Sequence, residues 1–120
     1  MIAVDTSVWV DHFRKRSDML TALLIGGQVL QHPFVTGELA MGSLRDWQDT
    51  IDDLNALPSL AVVGEDDFYR FIAQHRLAGS GVGFVDVHLM AAAFGAGARL
   101  WTRDVRLASH ADALGMAFMP

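Results

Sequence analysis

The stretch Ile2-Ala3-Val4-Asp5-Thr6-Ser7-Val8-Trp9-Val10-Asp11 decides the fold class. Three apolar residues run straight into Asp5. From Thr6 the apolar spacing changes, with Trp9 and Phe13 four apart and Arg14-Lys15-Arg16 at the exit, where cations meet the negative end of a helix. A strand therefore turns into a helix within one residue. Ser17 is placed to cap a second short helix through Ile25, Gly26-Gly27 stops it, and Val29-Leu30 follows as a short buried strand. Strand, helical crossover, strand is the unit of a parallel sheet.

The alternation continues outward from there. Pro33 opens a helix over Phe34 to about Leu44, and Trp47, Ile51, Leu54 and Leu57 mark an amphipathic helix ending at Pro58, with Asp49, Asp52 and Asp53 on its other face. Leu60 to Val63 reads as a third strand. Phe68, Phe71, Ile72 and His75 lie on one side of the next helix, which the run Gly79-Ser80-Gly81-Val82-Gly83 ends. Phe84 to Phe94 is helical and apolar nearly all round. Gly95 and Gly97 stop it, Arg99 to Thr102 gives a fourth strand, a helix spans roughly Arg106 to Leu114, and Met116 to Phe118 closes the chain as a terminal strand. The expected architecture is α/β: a three-layer α/β/α sandwich of residues 1–120 as one domain, with right-handed crossovers around a central parallel sheet of about five strands.

Composition narrows the function. With 52% hydrophobic and 19% charged residues the chain is not disordered, and its apolar surplus suggests that some of it faces a partner. The absence of cysteine excludes disulfides and thiolate zinc sites and is compatible with a reducing cytoplasm. The uncharged run from Met19 to Gly37 is no membrane span, since Gly26, Gly27, Gln28, Gln31, His32 and Pro33 interrupt it, and no basic stretch precedes an apolar one at the N-terminus. A net charge of −5 argues against sequence-blind adhesion to nucleic acid.

Ligands of open parallel α/β sheets bind beyond the carboxyl ends of the strands. Asp5 stands there after the first strand, and Asp104 follows Leu100-Trp101-Thr102 with one residue between. Asp86 sits in the apolar helix before that strand, and Glu38 lies among Phe34, Val35, Leu39, Ala40 and Met41, a setting that suggests burial. Singly, Asp5, Asp86 and Asp104 read as well as helix caps, and Glu38 as a residue on a solvated face. Together, buried carboxylates repel, and a hard divalent cation resolves the repulsion. Oxygen ligands without thiolates point to Mg²⁺ or Mn²⁺.

The sequence resembles the PIN-domain ribonucleases, and within them the VapC toxins of bacterial toxin–antitoxin pairs. The resemblance is carried by VDTSVWVD at Val4–Asp11, TGELAMG at Thr36–Gly42, GVGFVDVHLMAAA at Gly81–Ala93 and LWTRDVRL at Leu100–Leu107, and it spans the chain. It implies that Asp5, Glu38, Asp86 and Asp104 are the metal-site carboxylates, with Thr102 auxiliary and Ser7 a helper beside Asp5. It further implies a metal-dependent endoribonuclease that leaves 5′-phosphate and 3′-hydroxyl ends on structured RNA such as tRNA or rRNA. A homodimer in the cytoplasm, held in check by a small cognate VapB-like antitoxin, completes that expectation.

One or two bound divalent ions would offset part of the net −5, and Arg14, Lys15, Arg16, Arg103 and Arg106 all follow the strand ends that carry Asp5 and Asp104. They form a candidate RNA-binding patch, and eight of the nine cations are arginine, suited to bidentate phosphate contacts. His88 lies about 200° round the helix from Asp86, so it reads as structural. His12, His32, His75 and His110 show no zinc spacing, the Trp and Phe residues read mostly as core, and Gly79, Gly81 and Gly83 as flexible entry to the Asp86 helix. Two other classes remain open on the sequence. A non-catalytic module of the same fold would bind RNA or protein without cutting. A receiver or aspartyl phosphatase also uses an Asp after the first strand, but here Ser7 stands where its second Asp belongs and Lys15 is the sole lysine.

Overall fold

In the computed structural model, which describes residues 1–120, β1 (Ile2–Val4) is buried along its whole length, as a strand covered on both faces must be. Helices α1 (Thr6–Arg14) and α2 (Asp18–Ile25) lead to β2 (Val29–Leu30). Ser17 caps α2 as expected, its hydroxyl accepting the Leu20 amide at 3.1 Å. Then come α3 (Pro33–Ala40), α4 (Trp47–Asn55), α5 (Glu65–Gln74), α6 (Phe84–Gly95), β3 (Arg99–Trp101) and α7 (Val105–Ala113).

The sheet has three parallel strands in the order β2-β1-β3, with Ile2 opposite both Val29 and Arg99. This corrects the expected five. Leu60–Val63 is not a strand; beyond β2 the sheet continues only as a bridge between Gln31 and Ser59, and beyond β3 Met116–Phe118 contributes only a bridge between Leu100 and Ala117. The physical reason is the lack of a further neighbour. Leu60 donates its amide to Gln31 and is buried, but Ala61 and Val62 are exposed and have no ladder to join.

The chain moves from β1 to β2 in one direction and then back past β1 to β3. With right-handed crossovers this sets α1–α4 on one face and α5–α7 on the other. β1 thus marks the topological switch point, and its carboxyl end, at Asp5, is where such sheets bind ligands. Phe34 and Phe84, in the first turns of α3 and α6, stack with their ring centroids 6.4 Å apart and close the two layers over that end. One cluster of 26 buried apolar residues joins both faces; α6 supplies six of them, which explains its lack of a polar side.

Helix α3 stops at Ala40, short of the expected Leu44. The Trp47 indole donates to the Ala40 carbonyl at 2.9 Å, taking an oxygen that a continuing helix would have given to the Leu44 amide. The aromatic residues are also less uniformly core than their stripes suggest. Trp9 and Trp101 are buried, whereas Phe13, Trp47, Phe84 and Phe94 are exposed. No helix is long and apolar enough to cross a membrane.

Candidate active site

Asp5 leaves β1 as the last buried residue before α1, and it is 4% exposed. It occupies the N-cap position of α1 but makes no capping bond. Its Oδ2 instead accepts two hydroxyls, from Ser7 Oγ and Thr102 Oγ1, each at 2.7 Å. A buried carboxylate needs such donors. Each hydroxyl is itself anchored, because Ser7 Oγ accepts the Arg103 amide and Thr102 Oγ1 the Asp104 amide, both at 3.0 Å. Ser7 and Thr102 therefore tie α1 to the turn after β3.

Asp104 does cap a helix: its Oδ1 accepts the Leu107 amide at 3.0 Å at the start of α7. One oxygen serves the cap and the other remains. Glu38 is exposed rather than buried, and its Oε1 accepts Thr6 Oγ1 at 2.6 Å, which ties the middle of α3 to the start of α1. Asp86 is not the N-cap of α6, which is Gly83; it sits in the first turn and is half-buried.

The four carboxylates meet electrostatically at Asp86. Burial first, then the charge of Asp5 and a hydrogen bond to it, then the charges of Glu38 and Asp104, push the Asp86 carboxyl from 3.8 up to about 7. Three acids from separate parts of the chain, Asp5, Glu38 and Asp104, thus bear on the one carboxyl of Asp86. As the side chains stand, no three of them are close enough to share one ion. Their chemistry nonetheless fits a hard divalent cation: the donors are all oxygen, and Asp86 sits among like charges that only a proton or a cation relieves. Glu38 and Asp104 carry exposed side chains.

The structure divides the five cations of the expected patch. Arg103 pairs through Nε with Asp11, with both side chains about half exposed. Arg16 donates from Nε to Thr21 at 3.1 Å, and Lys15 is exposed at the end of α1. Arg106 packs its guanidinium over Gly81 in the loop that enters α6. Arg14 lines a cleft of about 340 Å³ whose other end holds Thr6 and Glu38. Sequence reading passed over Arg45, which lines the continuation of that cleft.

The histidines make no metal site. His88 is buried and stacks on Phe68, ring planes 4° apart and centroids 3.7 Å apart, in agreement with a structural role. His32 was missed as a structural element. Its Nδ1 accepts the Phe34 amide at 3.0 Å, which caps α3, and burial together with nearby His88 lowers its pKa to about 4.

A parallel sheet with an acidic cluster at its switch point defines the class as a carboxylate-site α/β protein. The chain matches the PIN domain over residues 2–113 and belongs to that family. It is 42% identical over 118 residues to Ribonuclease VapC32 of two Mycobacterium tuberculosis strains, CDC 1551 / Oshkosh and ATCC 25618 / H37Rv, covering 98% of this chain and 95% of the relative. The fold is shared with solved structures of far lower identity. VapBC-1 from nontypeable Haemophilus influenzae aligns with a TM-score of 0.70 at 17% identity, over 94% of each chain. PAE2754 from Pyrobaculum aerophilum gives 0.67 at 15% identity, over 98% of this chain and 87% of that one. FitAcB from Neisseria gonorrhoeae gives 0.63 at 15% identity, over 93% and 94%.

Proposed function

We propose that residues 1–120 act as one PIN domain and form a VapC-type endoribonuclease dependent on Mg²⁺ or Mn²⁺, hydrolysing phosphodiester bonds in structured RNA such as tRNA or rRNA. The observation that carries this reading is the convergence of Asp5, Glu38 and Asp104 on the raised carboxyl of Asp86. The likeness to Ribonuclease VapC32 supports the same activity.

In this reading Asp5, Glu38, Asp86 and Asp104 hold the ion. A bound divalent ion supplies the Lewis acidity that polarises a phosphodiester and activates water. The chain's own residues provide position. Ser7 and Thr102 hold Asp5 through Oδ2, which leaves Oδ1 without a hydroxyl partner. Thr6 orients Glu38, and the cap to Leu107 orients Asp104. Because Glu38 and Asp104 are exposed, an RNA strand can reach the acids from solvent without an opening motion. No nucleophilic side chain is needed.

Regulation belongs to the same proposal: a cognate VapB-like antitoxin covers the site, the toxin is a homodimer, and it works in the cytoplasm. Exposed apolar side chains such as Met41, Phe84 and Tyr69 supply surface for such partners. The test is direct. Purified protein should cleave loop-containing RNA with Mg²⁺ or Mn²⁺, stop in EDTA, and lose activity on Asp86→Asn substitution. Cleavage that continues undiminished in chelator excludes the mechanism.

A further inference from the structure

We infer that the cleft lined by Arg14 and Arg45 is a binding subsite for backbone phosphates of the RNA strand whose scissile bond lies at the acidic cluster. This rests on the ribonuclease reading above. Two adjoining clefts, of about 340 and 430 Å³, share Phe13, Arg14, Ser43 and Leu44 and so form one trough. One end holds Thr6 and Glu38; the other holds Arg45 and Thr50. A strand with one phosphate at the acids therefore has a continuous path along the groove between α1 and α3 and over the loop that follows α3.

Charge favours RNA as the occupant. Among the cations near the site, Arg103 is paired with Asp11, Arg16 is hydrogen-bonded to Thr21, and Arg106 lies over Gly81. The guanidinium groups of Arg14 and Arg45 have neither an ion pair nor a hydrogen bond within the chain, although the protein carries a net −5. Two unneutralised arginines on one trough, beside a cluster of acids that repels phosphate, are placed to offset that repulsion.

Arg45 is also held in position. Asp46 adopts a left-handed conformation at φ 50°, which turns the chain from α3 into α4, and the Thr50 hydroxyl donates to the Arg45 carbonyl at 3.1 Å. The backbone that bears this arginine is thereby fixed at the rim of the cleft.

The experiment measures binding of a fluorescein-labelled single-stranded oligoribonucleotide to the Asp86→Asn protein across a salt series, with metal-dependent cleavage by the same variants in the wild-type background followed in parallel. Arg14→Gln and Arg45→Gln should each weaken binding several-fold and reduce the slope of log affinity against log salt by about 0.7, the value for one lost contact to a single strand. Arg45→Lys should keep the slope. Arg99→Gln, at the amino end of β3 and so away from the strand ends that carry the acids, should leave binding unchanged. In otherwise active enzyme the two cleft variants should raise KM more than they lower kcat.

Slopes unchanged in both cleft variants, or an equal loss in Arg99→Gln, overturn the subsite even where wild-type cleavage proceeds. Loss of slope in the cleft variants alone upholds it, including where the wild type fails to cleave and the ribonuclease reading falls by itself. If the variants bind RNA as the wild type does and instead escape inhibition by the cognate antitoxin, the trough is a protein groove and the phosphate assignment is wrong.

Discussion

Thr102 Oγ1 donates to Asp5 Oδ2 at 2.7 Å, joining residues 97 positions apart in the chain. The same hydroxyl accepts the Asp104 amide at 3.0 Å. One side chain therefore orients the buried acid and fixes the turn that carries the exposed one. Removing it affects both fold and site.

Thr102→Val preserves shape and deletes both bonds. The buried Asp5 then loses one of its two hydroxyl donors, and the expected loss of unfolding free energy is about 1–3 kcal/mol. Metal-dependent cleavage should fall about 10- to 100-fold, the usual effect of removing a group that orients a metal ligand. Thr102→Ser should restore most of both. Urea titration and initial cleavage rates measure the two effects, and a Val variant as active as wild type would remove Thr102 from the site.

Gly81 has φ +82°, and an added Cβ would lie 2.5 Å from Arg106 Nη1. The arginine tip can move; the backbone cannot relax without shifting the entry to α6. Gly81→Ala should therefore destabilise by about 1–2 kcal/mol, set by the left-handed backbone. Removing the clash with Arg106→Ala in the same chain should recover little of that loss. Full recovery in the double variant, read from melting temperatures, would show that contact rather than conformation decides.

His32 is buried and its pKa falls to about 4, below the 6.5 of an unfolded chain. The unfolded state then binds the proton first, so this contribution to stability is complete above pH 6.5 and is lost as pH falls toward 4. His32→Asn can keep the cap of α3 but cannot titrate. It should be less stable than wild type at pH 7.5, by about 1–3 kcal/mol for the lost ring packing, and the gap should narrow as pH drops. A gap independent of pH would mean that His32 does not titrate in this range.

Asp5 and Asp104 stand after β1 and β3, legible because a strand end followed closely by a helix is a local pattern, whereas the bond from Thr102 to Asp5 spans 97 positions and no local pattern shows it. Glu38 was misjudged as buried because α3 is apolar on most sides, and its pattern gives no face. The Leu60–Val63 run has the composition of a strand, but pairing depends on a neighbour that composition does not reveal. Arg14-Lys15-Arg16 looks like one patch in sequence. Helix α1 ends at Arg14 and Lys15 is extended, so Arg14 keeps the helical direction that lines the cleft while Arg16 lies beyond the helix and turns to Thr21. Arg45 escaped notice because it lies in the turn between α3 and α4, where no period sets a side chain's direction.

The last prediction isolates the repulsion at Asp86. In chelator its carboxyl titrates at about 7 in the folded protein and at 3.8 unfolded, a raised pKa. Between those values the folded state keeps a proton that the unfolded state has released, so its contribution to stability is full below pH 3.8 and is lost as pH rises through about 7. Asp86→Asn keeps the shape and removes the titration. The variant should therefore gain on the wild type from pH 4 to pH 7 and hold that gain above it, in a direction opposite to the His32 effect. A cation that binds only the folded wild type adds about 2.7 kcal/mol at a hundredfold excess over its Kd. The Mn²⁺-induced rise in Tm should accordingly be larger at pH 7.5, where Asp86 is ionised, than at pH 5.5, and should shrink sharply in Asp86→Asn. If wild type and variant run parallel across pH in EDTA and both keep the full Mn²⁺ shift, Asp86 is a structural residue of α6 and the metal-site assignment fails.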